Sequence, residues 1–204
     1  MRARLRPILQ ILTVLALVSG CGSLTPSPPA NPAQAAISGS PEDRKPAGEP
    51  AAAVRQKIRQ LLAADSYPAA LALVLSSGLS ETELAEEYGL ALKGLLKKAD
   101  VYREKDLPEK AGPLYRAALD GYPATPAVAA KAGTRPAGIT AGIETCADQL
   151  LERGLAAYRS GDLDQAIRTW KLIHVFAPQH QASRKALQTA EVQLANLKKV
   201  RAEK

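Results

Sequence analysis

Apolar residues return at helical spacing along most of the chain after residue 51. Pro68 suits the first turn of a second helix, which Gly78 can close in the left-handed conformation. Ser80 and Glu83 have capping-box spacing and predict the start of a long helix that ends near Lys105. The first helix places four apolar residues on one side: Val54, Ile58, Leu61 and Leu62.

The composition favours the same structure. Hydrophobic residues make up 46% of the 204 residues, but aromatic residues only 4%, and alanine is abundant. Sandwiches and barrels need many β-branched and aromatic residues, so the composition argues against an all-β fold. We therefore predict an all-α fold class.

The first twenty residues have the order of a secretion signal. Arg2, Arg4 and Arg6 precede an apolar run from Ile8 to Val18, which is too short to span a bilayer. Without these three arginines the formal net charge falls from +7 by three, to +4. The remaining bases are interleaved with acids, as is typical of solvated helix faces, so we expect no nucleic-acid partner.

The sequence Leu-Val-Ser-Gly-Cys at residues 17–21 resembles the lipobox of bacterial lipoproteins. The resemblance implies that Cys21 carries a covalent lipid, with no other cofactor, and begins the mature chain. Because Gly22 rather than an acid follows, it also implies anchoring to the outer membrane, facing the periplasm. An ordinary signal peptide with a chance cysteine is the alternative. If Cys21 is lipidated, Cys146 has no partner in the chain, and a small buried residue is the favoured interpretation.

Residues 21–51 predict a disordered linker. Seven of the fifteen prolines lie between residues 22 and 51, without a periodic apolar face. Such a segment reaches roughly 30 Å as a coil and about 90 Å when extended. Residues 52–204 then form the predicted helical domain.

Two stretches of this domain are similar to each other. Residues 106–123 align with residues 161–178, and the segments before them also align. The matched pairs are Ala111 with Ala166, Tyr115 with Trp170, Ala118 with Ile173, Pro123 with Pro178, Leu95 with Leu150, and Ala99 with Gly154. The pattern resembles the tetratricopeptide repeat, a 34-residue helical hairpin. The two units would cover about 92–125 and 147–180.

The resemblance implies a short α-solenoid in which small residues let paired helices approach closely. Pro113 departs from the pattern inside the second helix of the first unit. Residues 126–146 are an insertion, predicted as a mobile loop with a short helix from Pro126 to Ala132. The last helix, about 182–202, is predicted to cap the domain, and a coiled-coil seam between two copies is the alternative.

The resemblance places a partner-binding face on the first helix of each unit. The matching positions are Lys93, Leu96, Asp100, Arg103, Glu104, Asp148, Leu151, Leu155, Tyr158 and Arg159. We therefore predict an adaptor that binds a protein or peptide segment of the cell envelope. The alternatives are a pilotin-like lipoprotein that assists pilus or secretion-system assembly, and a cell-wall enzyme or its activator.

Catalytic chemistry has little support in the sequence. His174 and His180 form no HExxH pair, and the two cysteines lack metal-ligand spacing. No GxSxG elbow or phosphate-binding glycine loop is present. The sequence leaves Glu109 and Glu152 open as acids in a cleft, but we predict that the protein is not an enzyme and binds no metal.

Overall fold

The computed structural model describes residues 50–203, in which eight α-helices account for 80% of the residues and no strand occurs. The prediction of an all-α fold is confirmed for this part of the chain. The predicted signal, the lipidation site and the linker up to residue 49 lie outside the described residues. The helices are α1 (Ala51–Ala63), α2 (Tyr67–Ser76), α3 (Ala85–Glu104), α4 (Pro108–Asp120), α5 (Pro126–Ala132), α6 (Pro136–Arg159), α7 (Leu163–Phe176) and α8 (Gln181–Ala202).

The helix boundaries follow from local residue chemistry. Proline occupies the first turn of α2, α4, α5 and α6, where a missing N–H costs nothing. Gly78 lies two residues after the end of α2 and has φ +74°, which is the left-handed conformation predicted for it. The predicted capping box also forms: the Glu83 carboxylate accepts from the Ser80 N–H at 2.8 Å, and Ser80 Oγ accepts from the Glu83 N–H at 3.3 Å. Residues 81–84 nevertheless form turns, and α3 begins only at Ala85.

Helices that follow one another in the chain pack together in pairs. Helix α3 packs against α4, α6 against α7, and α4 contacts both α6 and α7. The short turns inside these pairs use positive φ angles, +55° at Asp106 and +83° at Gly161. At the amino-terminal end of the described chain, α1 and α2 pack on each other and on α3.

The small residues of the two similar segments are buried at the helix crossings. Ala99, Ala111 and Ala166 have no exposed surface, and Gly154 is also buried. A Cβ atom built on Gly154 would lie only 2.6 Å from Trp170 Cδ1. The indole therefore occupies the volume that any side chain at position 154 would take, and the predicted close approach of these helices is confirmed.

The insertion is only partly what the sequence predicted. The short helix from Pro126 to Ala132 is confirmed as α5, and it packs on α3. The prediction of a mobile loop is wrong for residues 136–146, which form the first turns of the 24-residue α6. Ile139, Ile143 and Cys146 are buried at intervals of four and three residues, so one apolar stripe runs through the insertion into the second similar segment.

The final helix matches its predicted bounds closely. Leu187 and Ala190 of α8 are buried against the rest of the domain, and Leu194 is half-buried. Leu197, one turn further, is 44% exposed. The contacts of α8 with α7 and α6 therefore come from the first part of its apolar stripe.

Candidate binding groove

A groove of about 240 Å³ lies between the α3–α4 pair and the first half of α6. Leu96, Asp100 and Arg103, three of the predicted partner-binding residues, line it from α3, and Tyr115 lines it from α4. Gly138, Ala141, Gly142 and Thr145 line the opposite wall on α6. Ile139 and Leu96 lie beneath the groove and are 1% and 6% exposed, so core packing covers nearly all of their apolar surface.

A hydrogen-bonded network of three side chains forms one edge of the groove. The Tyr115 hydroxyl donates to Asp100 Oδ1 at 2.5 Å, and Arg103 Nε donates to the same hydroxyl at 3.1 Å. Arg103 Nη2 completes the network by donating to Asp100 Oδ1 at 3.2 Å. Burial, and then the hydrogen bond to Asp100, raise the pKa of Tyr115, so the phenol stays protonated and remains a donor.

The α6 wall is built from small residues because Tyr115 lies against it. A Cβ atom on Gly142 would lie 2.9 Å from Tyr115 Cζ, so glycine lets the ring and the helix approach. Ala141 and Thr145 present short exposed side chains beside it. The groove thus combines a hydrogen-bonded polar edge with a wall that has no long side chains.

The structure separates the predicted binding residues into two places. Lys93 and Glu104 lie exposed on α3, beside the residues that line the groove. Asp148 and Tyr158 instead contact α8: Asp148 Oδ1 lies 3.2 Å from His180 Nε2, and the Tyr158 hydroxyl donates to Gln193 Oε1 at 2.6 Å.

The other residues predicted from the second repeat, Leu151, Leu155 and Arg159, also lie on α6 near these contacts. Leu151 and Leu155 are half-buried against the core, and Arg159 is exposed at the end of the helix. The backbone carbonyl of Leu151 accepts a hydrogen bond from Trp170 Nε1 at 3.1 Å. The groove therefore brings together three residues of the first predicted set, Leu96, Asp100 and Arg103, with residues of the insertion.

Sequence reasoning missed the contributions of Tyr115 and α6 to the groove. Tyr115 was expected only to fill space beside the small residues, whereas its hydroxyl joins Asp100 to Arg103. The α6 wall was hidden because Gly138 and Gly142 lower helix propensity in the insertion. The signal that could have revealed it is the apolar stripe from Ile139 onward, in phase with the following helix.

The acids and histidines considered from the sequence are placed as follows. Glu109 Oε2 pairs with Arg153 Nη1 at 3.4 Å, and Glu152 is exposed on α6. His174 is half-buried on α7, and His180 caps α8 through a 3.4 Å contact with the Ser183 N–H. Among residues 50–203 no group of three or more His, Cys, Asp or Glu side chains is arranged to hold a metal ion.

Cys146 lies in the interior of α6. It has no exposed surface, as the sequence suggested, and burial raises the pKa of its thiol to about 11.

None of the helices in the described part of the chain is both long and apolar enough to span a membrane. No protein-family model, no curated protein and no solved structure matches the chain.

Proposed function

We propose that this protein is a lipid-anchored adaptor of the bacterial cell envelope, and that it holds an extended segment of a partner protein in the groove between α3 and α6. The observation that carries the proposal is the groove itself, in which the Asp100–Arg103–Tyr115 network lies opposite a wall of short side chains on α6. An extended peptide needs both features, because its backbone needs hydrogen-bonding groups and a wall of short side chains lets it approach closely. The network is internally bonded, so it is pre-organised before a ligand arrives.

The packing supports a tetratricopeptide-like arrangement of the helices. Each predicted hairpin is a pair of adjacent helices with small buried residues at the crossing, and the α4–α6 contact joins one hairpin to the next. Helix α8 then acts as the capping helix, covering α7 with Leu187 and Ala190. In this arrangement α6 is longer than a repeat helix, and its extra turns supply the second wall of the groove.

The anchor is proposed from the lipobox-like residues before Cys21, with the outer membrane as the location and the periplasm as the side it faces. A Cys21→Ser substitution tests it directly. In cells fed an alkyne fatty acid, the wild-type chain is expected to acquire the label and to sediment with membranes. The variant is expected to lose the label and to appear in the soluble fraction, and retention of the label would refute the assignment.

Site-specific photocrosslinking tests the groove. A photoreactive amino acid at Ala141, which lines the groove, is expected to form an adduct that maps to one extended segment of an envelope protein. Ala156 gives the matched control position, because it is exposed on the same helix but does not line the groove.

A synthetic peptide of the mapped segment then separates occupancy of the groove from mere proximity. Ala141→Trp fills the groove from an exposed position and is expected to abolish peptide binding without unfolding the protein, whereas Ala156→Trp is expected to bind as the wild type does. Equal binding by both variants, or adducts spread over many unrelated proteins, would overturn the proposed site. Circular dichroism of both variants verifies that each remains folded.

A further inference from the structure

A second surface lies on α3 next to the groove, and Lys93 is the one residue of it that the sequence analysis predicted to bind a partner. Leu90, Lys93, Lys97 and Val101 follow one another at intervals of three and four residues, so they share one side of the helix. Leu90 and Val101 are 56% and 37% exposed. We call these four residues, together with Lys98 and Tyr67, the lysine face.

Tyr67 divides the lysine face into two depressions. Its ring lies directly over Gly94, where a Cβ atom would come within 2.6 Å of Tyr67 Cζ. The depression on one side has a volume of about 420 Å³ and includes Leu90 and Lys93. The other, of about 330 Å³, includes Lys98 and Val101, and Lys97 borders both.

The positive charge of this face is only partly neutralised, because the residues that line the two depressions include three lysines and one acid, Asp65. Within residues 50–203, Lys93 and Lys97 form no ion pair, and Lys98 donates to the backbone carbonyl of Asp65 at 3.4 Å. The Asp65 carboxylate accepts a hydrogen bond from the Tyr67 hydroxyl at 2.5 Å. Glu86, further toward the start of α3, is already paired with Lys131.

We propose that the lysine face binds an acidic, extended segment of the partner, with two carboxylates two residues apart and an apolar residue two positions beyond each of them, because alternate residues of an extended chain share one side. Lys93 and Lys97 lie one turn apart, about 6 Å along the helix axis. Side chains at positions i and i+2 of an extended chain are about 6.6 Å apart, so two carboxylates match the two lysines. The two apolar residues of such a segment are about 20 Å apart, and the rise from Leu90 to Val101 is about 16 Å, a difference that side chains inclined toward the centre of the face can span.

This inference rests on the proposed adaptor function, because it specifies the chemistry of the segment that the adaptor holds. A peptide is favoured over an anionic membrane surface because the apolar contacts are two depressions on either side of a ring, rather than a continuous apolar strip. Three lysines are also fewer than the four to eight basic residues that are typical of anionic-lipid binding. Lys93 lies beside the groove, so one partner segment can contact both surfaces.

The probe is a fluorescein-labelled nonapeptide with leucine, serine, glutamate, serine, glutamate, serine and leucine at its centre, titrated with the full chain in a mild detergent. The control peptide has both glutamates replaced by glutamine. The test variant is Lys93→Gln/Lys97→Gln, and the matched control is Lys198→Gln/Lys199→Gln, which removes two exposed lysines from α8. We expect fluorescence anisotropy to show that the glutamate peptide binds, that salt weakens this binding, and that the test variant binds about tenfold more weakly while the control variant is unchanged.

The inference is overturned if the glutamine peptide binds equally well, or if both lysine variants lose affinity to the same extent. It is also overturned if the peptide fails to bind while vesicles containing phosphatidylglycerol do, with loss in the test variant, because the face would then be a membrane contact. The Ala141→Trp variant separates the two proposals. If it abolishes capture of the mapped partner while the lysine variants capture it normally, the adaptor function stands and the acidic specificity falls.

Discussion

Replacing Gly154 by alanine tests how closely the helices of the second hairpin pack. The added Cβ would lie 2.6 Å from Trp170 Cδ1, whereas ordinary contacts begin near 3.4 Å, so the ring must retreat by at least about 0.8 Å. Trp170 is 1% exposed and donates to the Leu151 carbonyl at 3.1 Å, so it has no free volume to enter. Either the indole leaves this hydrogen bond or α6 and α7 separate.

The expected destabilisation follows from three contributions. Overpacking a core costs about 1–3 kcal/mol, and leaving the buried indole N–H without a partner costs about 1–3 kcal/mol more. Alanine returns about 1 kcal/mol through its higher helix propensity. The Gly154→Ala variant should therefore lose about 3 kcal/mol of unfolding free energy, which corresponds to a fall in Tm of roughly 6–12 °C for a domain of this size.

Urea denaturation followed by tryptophan fluorescence measures this effect, because Trp170 is the single tryptophan of the chain. Gly138→Ala is the matched control on the same helix, since its Cβ would meet only the exposed Thr134 Cγ2, at 3.2 Å. The control should be neutral or up to about 1 kcal/mol more stable. If Gly154→Ala matches the control, the close approach of Trp170 to α6 does not limit the packing.

Three further predictions concern single contacts. Hydrogen bonds from the Thr125 side chain and from the N–H groups of Ala124 and Thr125 lower the pKa of Glu81 below its ordinary value of 4.5, so the carboxylate stabilises the fold above that value. Glu81→Gln should therefore lower the urea midpoint at pH 7, and its difference from the wild type should vanish as the pH falls through the lowered pKa. In a variant whose other cysteine is replaced by serine, Cys146 should react with iodoacetamide at pH 8 only when the chain unfolds, because burial raises the pKa of its thiol to about 11. Rapid labelling of the folded chain would contradict the burial of Cys146. Arg153→Ala should lower the free energy of unfolding, measured by urea denaturation, by about 1 kcal/mol. The reason is that Arg153 Nη2 donates to the backbone carbonyl of Asp106 at 2.7 Å and pairs with the Asp106 carboxylate at 2.6 Å. An unchanged urea midpoint would show that these contacts do not stabilise the α3–α4 turn.

The sequence by itself determined most of the helices and the sites of close packing. Apolar spacing, Pro68 in a first turn and Gly78 mark helix boundaries through interactions within a few residues, and the structure confirms them. The pairing of Gly154 with Trp170 was also predictable, because a small and a large residue recur at matched positions in two segments. Such signals are local or repeated, so they survive without knowledge of the tertiary contacts.

Only the tertiary structure decided what the insertion and the predicted binding residues do. Glycines made residues 136–146 resemble a loop, but burial of Ile139 and Ile143 outweighs their low helix propensity. The resulting extension of α6 closes the groove opposite Asp100, while α8 contacts Tyr158 on the other part of the same helix. These outcomes depend on which helices contact each other although they are far apart in the sequence. Hydrophobic periodicity indicates that one face of a helix is buried, but it does not indicate which other helix covers that face.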